Sequence, residues 1–126
     1  MALGKIKADT LEHSTAGSLD TQYVVQGSAK AWSKQSIGTL NGSFNSSGVT
    51  DNATGDFTIN FSNSMSDANY SSTLGSADGN SNDSVVLCVN NSAGYATGSI
   101  NYFIVTDDGG AVDAFPMACT IHGDLA

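Results

Sequence analysis

Phe57, Ile59 and Phe61 alternate with Asp56, Thr58, Asn60 and Ser62. Only an extended strand uses a period of two, with one face buried and the other in water. Asp51-Asn52-Ala53-Thr54-Gly55 stands just before it and holds the residue types that tolerate turns and positive φ. The stretch from Phe44 to Thr50 is then the natural partner strand, and the segment reads as a β-hairpin. Gly48 and Gly55 leave room for a bulge or a wider loop. A chain organised around such a hairpin needs further strands to cover its apolar face.

Composition supports more of the same. Ser (18), Thr (11), Asn (11) and Gly (14) make up 54 of the 126 residues, with one Pro and no Arg. Helix formers are scarce and turn formers abundant. The length fits one domain with a sizeable core. Along the chain, Tyr23-Val24-Val25 begins strand character, and residues 29–33 resume it after Gly27. A weak strand covers 37–44, and Tyr70–Leu74 is a short one. Val85-Val86-Leu87-Cys88-Val89 is apolar at every position and predicts a central strand covered on both sides. Ser99–Thr106 places Ile100, Tyr102 and Ile104 on one face and Phe103 and Val105 on the other. In the last strand Phe115, Met117, Cys119 and Ile121 alternate with smaller or polar residues, and Pro116 suits the start of an edge strand. Seven to nine short strands predict an all-β, antiparallel β-sandwich or jelly-roll-like body over residues 21–126. Residues 1–20 read as an N-terminal arm, extended or with a short helix over 5–13, broken by Ser14-Thr15-Ala16-Gly17-Ser18.

All four lysines (Lys5, Lys7, Lys30, Lys34) fall in the first 34 residues, while from Gln35 onward there are nine aspartates and no Lys or Arg. That balance disfavours nucleic acid and anionic membrane. No apolar run is long enough to span a membrane, and residues 1–11 lack a signal-peptide core. Cys88 and Cys119 sit in apolar strand patterns and read as reduced core thiols rather than a disulfide. Seven Asn-x-Ser/Thr sequons, beginning at Asn41 and ending at Asn90, read as a by-product of Asn- and Ser-rich loops.

Residues patterned for chemistry are few. Asp78-Gly79-Asn80-Ser81-Asn82-Asp83 opens like a calcium loop, but Asp83 and Val89 stand where an EF-hand needs Gly and Glu. Asp107-Asp108-Gly109-Gly110, with Asp113 nearby, reads as a hairpin turn carrying solvated charge. Cys119 faces inward and His122 outward, so the two do not share a metal. His13 is alone in the arm, and the only Glu is Glu12, so no pair of carboxylates stands out for glycoside cleavage. No catalytic residue, metal or cofactor is expected. Trp32, Tyr23, Tyr70, Tyr95 and Tyr102 are residue types that stack on sugars, but aromatics in a small β domain read first as core.

Gly27-Ser28-Ala29-Lys30-Ala31-Trp32, Ser43-Phe44-Asn45, Val49-Thr50-Asp51-Asn52 and Thr54-Gly55-Asp56-Phe57-Thr58-Ile59-Asn60-Phe61 together resemble a module of fibre-type structural proteins of tailed bacteriophages, common in marine and cyanobacterial phages. The arm, with Ile6-Lys7-Ala8-Asp9-Thr10 and Leu11-Glu12-His13, is similar to the N-termini of those proteins. Ser33-Lys34-Gln35-Ser36 departs from the family pattern after Trp32, and the specific likeness ends at Met65. The resemblance implies a virion component, a tail fibre or short fibre subunit, assembled in the bacterial cytoplasm and commonly a homotrimer. It also implies an arm that grips another virion protein, with Leu3, Ile6 and Leu11 as docking candidates. For host-surface glycan, the candidate contacts are Asp78, Asn80, Asn82, Asn91, Tyr95, Asp107 and Asp108. A capsid-decoration or connector fibre without receptor binding is the alternative, and a polysaccharide depolymerase ranks last.

Overall fold

The structure, a computed structural model, describes residue 4 and residues 7–76, 85–92, 94–113 and 116–126. It opens with a small hairpin of β1 (Thr10–His13) and β2 (Gly17–Asp20), followed by helix α1 (Thr21–Gly27). Two antiparallel sheets make up the body. The first has the order β5-β6-β10-β8, built from β5 (Ser46–Ala53), β6 (Asp56–Phe61), β10 (Ser99–Thr106) and β8 (Val85–Val89), with the two-residue β9 (Tyr95–Ala96) also on β10. The second has the order β4-β3-β11-β7, from β4 (Thr39–Phe44), β3 (Ala31–Ser36), β11 (Met117–His122) and β7 (Ser71–Ser76). The body is the expected antiparallel β-sandwich.

One sheet supplies large side chains and the other fills around them. From β6 and β10 come Phe57, Ile59, Ile100, Tyr102 and Ile104, all at most 2% exposed. Facing them, β11 gives Met117, Cys119 and Ile121, while β3 gives only Ala31, Ser33 and Gln35. Close packing of bulky rings against small side chains keeps the interior dense. Phe57 stacks on Tyr102 at 6.2 Å between ring centres. At one end Tyr70 packs edge-on against Phe61 (5.8 Å) and Tyr95 (5.1 Å). The Tyr70 hydroxyl lies 2.7 Å from the Ser99 carbonyl and 3.0 Å from that of Ala96, tying the start of β7 to the opposite sheet.

The central hairpin is present with a tighter turn than expected. Pairing runs as far as Ala53↔Asp56, leaving only Thr54 and Gly55 at the corner. Gly55 has φ +71°, and a Cβ there would lie 2.5 Å from the Ile104 carbonyl. Its N–H donates to Asp113 Oδ1 at 2.8 Å, and its carbonyl accepts from Ile104 N. The partner strand does not run from Phe44 unbroken. Asn45, at φ +53°, turns the chain from the second sheet into the first, and its side chain bonds Asn63 across the corner.

Four expectations are corrected. Tyr23-Val24-Val25 is helical, within α1. Strand β8 is an edge, hydrogen-bonded among the described residues only to β10, and the face of it that carries Val86 and Cys88 is exposed. Strand β11 lies between β3 and β7, so Pro116 precedes a central strand rather than an edge one. Trp32 points away from the core: on β3 Ala31, Ser33 and Gln35 face inward, and the indole, 43% exposed, faces out beside Phe44. Both cysteines are free thiols, as expected, with only Cys119 buried.

Candidate functional site

The hairpin of residues 10–20 and helix α1 together form the arm, which thus runs to Gly27; it is folded, yet it has no interior. β1 and β2 pair from Thr10↔Asp20 to His13↔Gly17, which sets Leu11 directly opposite Leu19. The turn between them closes on His13, whose Nδ1 accepts from the N–H groups of Thr15 and Ala16 at 3.3 and 3.2 Å. Thr21 then bends the chain back: its N–H donates to the Asp9 carbonyl at 2.8 Å and its hydroxyl to the Ala8 carbonyl at 2.7 Å. Every described residue of β1 and β2 is exposed, and α1 buries none of its seven. A two-stranded ribbon of this kind is marginal in water by itself.

Helix α1 forms because groups beyond it satisfy its last turn. Ser28 N–H donates to the Val24 carbonyl at 3.1 Å. The Lys30 ammonium has three donors and three oxygens around it: the Val25 carbonyl, the Ser28 carbonyl at 3.2 Å and the Ser28 hydroxyl at 2.9 Å. A cation at a helix C-terminus is favourably placed. His122 Nδ1, on β11, lies 3.1 Å from the Gly27 carbonyl, a contact in which the ring nitrogen carries the proton and donates. Lys30 and His122 therefore fasten the base of the arm to the sandwich.

Between hairpin and helix runs a cleft of about 620 Å³ lined by Lys7, Ala8, Asp9, Leu11, Thr21, Val24 and Val25. Leu19, paired with Leu11, shares its face of the hairpin. Leu11 is 49% exposed and Val25 59%. Of the three docking residues expected from sequence, Leu11 lies on this surface, while Leu3 and Ile6 lie outside the described residues. Leu19, Val24 and Val25 join it; their signal was the hairpin pairing and the helix, neither of which the local sequence displays.

The loop residues expected to contact glycan do not converge. Asp78, Asn80 and Asn82 lie outside the described residues, as does the calcium-like loop. Asn91 and Tyr95 share a shallow cleft of about 370 Å³ with Val89, Asn90, Ser92 and Gly94. Tyr95 is tied into the fold there, its hydroxyl 3.1 Å from Ser72 Oγ. Asp107 and Asp108 stand beyond the other end of β10, eight residues long, about 25 Å away. They form a turn: Asp108 accepts from the Thr106 hydroxyl and from Gly110 N–H, and the first of these holds its carboxyl below the usual range. Asp113 faces Gly55 instead, so these aspartates are not one oxygen cluster. Among the described residues, no three of His, Cys, Asp or Glu come close enough to hold a metal.

No family model matches the sequence, and no curated protein or solved structure matches it either.

Proposed function

We propose that the chain is a structural subunit of a bacteriophage particle, of tail-fibre or short-fibre type. In this reading the arm docks onto another protein of the particle, and the sandwich projects outward toward the host surface. The observation that carries it is the arm itself, which holds a defined fold while leaving Leu11, Leu19, Tyr23, Val24 and Val25 in solvent. A small folded element with no core of its own gains stability by completing its packing on a partner.

Magnitudes favour several copies acting together. Covering five half-exposed apolar side chains contributes about 1 kcal/mol each. That total of about 5 kcal/mol only matches the low end of the cost of association. One arm alone would therefore hold weakly. A homotrimer presenting three arms turns the second and third contacts into intramolecular ones, and it also gives the exposed edges of the two sheets something to cover them.

Electron microscopy of source particles decorated with a gold-labelled probe against this chain tests the reading. Label at the distal end of the tail supports the attachment fibre, and label over the capsid turns the subunit into a decoration protein. Absence of label on any particle refutes the proposal.

A further inference from the structure

We propose that the outer face of the β4-β3-β11-β7 sheet is a binding site for an acidic, carboxylate-bearing oligosaccharide, held by Trp32 and Lys34. The idea deepens the host-surface half of the reading above, but the binding it describes is a property of the isolated chain.

The register assembles the site. Trp32 lies opposite Phe44 on one side and Thr120 on the other, and Thr120 in turn faces Thr73. One row along, Lys34 sits between Gly42 and Ala118, with Gly75 next to Ala118. Residues directly paired across antiparallel strands share a face, so two exposed aromatic rings border a shelf of small residues. The indole lies over Gly42: a Cβ there would be in ordinary contact with Trp32 Cζ3 at 3.5 Å and Cη2 at 3.6 Å. The apolar C–H face of a pyranose packs on such a ring, its positive hydrogens against the negative π face. The hydroxyls of Thr73 and Thr120, one strand apart, stand ready for sugar hydroxyls, and among the described residues neither has a hydrogen-bond partner.

Charge selects the occupant. None of the four strands of this sheet contains Asp or Glu, in a chain of net charge −8. Lys34 has no ion-pair or hydrogen-bond partner among the described residues, whereas Lys30 is engaged by the helix. Lys34 is thus the one uncommitted cation of the described body. Asp67 and Asp124 line a polar cleft at the far end of the face, beyond His122. His122 is four residues along β11 from Ala118, the partner of Lys34, hence about 13 Å away. That exceeds the Debye length of about 10 Å at 0.1 M salt, so those carboxylates do not cancel the attraction at Lys34. Size argues against a protein as occupant. Four strands of about six residues span about 20 by 20 Å, or about 400 Å², half of the area each partner of a stable protein interface gives up.

Trp32 is the only tryptophan, so its fluorescence reports the site directly. The test titrates the full chain with an oligogalacturonate and with a neutral glucose oligomer of equal length, following fluorescence and binding heat. The expected result is saturable binding of the acidic oligomer, weakened about tenfold or more by Lys34→Gln and lost on Trp32→Ala. Absence of binding to the wild type, equal binding of the neutral oligomer, or unchanged affinity in Lys34→Gln each overturns the proposal. A fluorescence change driven by protein concentration alone also overturns it and makes the face an interface between copies. Particle labelling bears only on the docking reading, so the two can fail separately.

Discussion

Gln35 is the least expected residue of the core, and replacing it by Met should stabilise the protein. Its side chain is 1% exposed, directed between the sheets from β3, and neither its amide nitrogen nor its amide oxygen has a partner among the described residues. Ser33 Oγ and the Tyr102 hydroxyl are in the same condition. A buried polar group left unpaired costs about 1–3 kcal/mol. Methionine keeps the length and flexibility of glutamine while removing both polar atoms. Gln35→Met should therefore gain about 1–3 kcal/mol in urea unfolding, with an unchanged m-value. At about 4 °C per kcal/mol for a chain of this size, Tm should rise by about 4–12 °C. A loss of stability would refute the reasoning. It would mean that the amide is hydrogen-bonded after all, through water held inside the sandwich.

Two further outcomes follow from the core and the corner. Gly55→Ala should cost 2 kcal/mol or more, about the strain of a left-handed residue plus a clash with the Ile104 carbonyl, and urea unfolding at neutral pH reads it. A thiol reagent should modify Cys88 in the native protein and reach Cys119 only after unfolding, because burial pushes the Cys119 thiol up to about 12. The same burial predicts alkaline sensitivity. A group with a raised folded-state pKa contributes stability that is complete below its unfolded value of about 9 and lost as pH rises toward about 12. Tyr70, pushed by burial to about 12, adds to the loss from about pH 10 upward. Urea midpoints measured between pH 7 and 11 should fall only above about pH 9.

Much of the sandwich was legible in the sequence because large apolar residues alternate cleanly in three places. Phe57-Ile59-Phe61, Ile100-Tyr102-Ile104 and Met117-Cys119-Ile121 all face inward as their spacing requires. Strand β3 was misleading because its inner face is made of Ala31, Ser33 and Gln35, so the largest residue nearby, Trp32, looked like core. Only the bulk of the opposite sheet makes residues as small as Ala31 and Ser33 suitable there. Val85–Val89 is apolar throughout but lies at an edge, since among the described residues β8 pairs only with β10. Helix α1 was hidden for another reason. Tyr23, Val24 and Val25 favour strands locally, and the contacts that hold the helix come from Lys30 and from His122, which is 95 residues from Gly27. The docking surface inherits that concealment, because it exists only once the helix folds back beside β1.

The most direct test of the account is hydrogen exchange of residues 10–27 in the isolated chain and in purified source particles. The account predicts fast exchange in isolation, and strong protection in the particle that is lost in particles carrying Leu11→Asp. Equal, fast exchange of these residues in both settings would contradict it, because an arm that docks cannot stay uncovered.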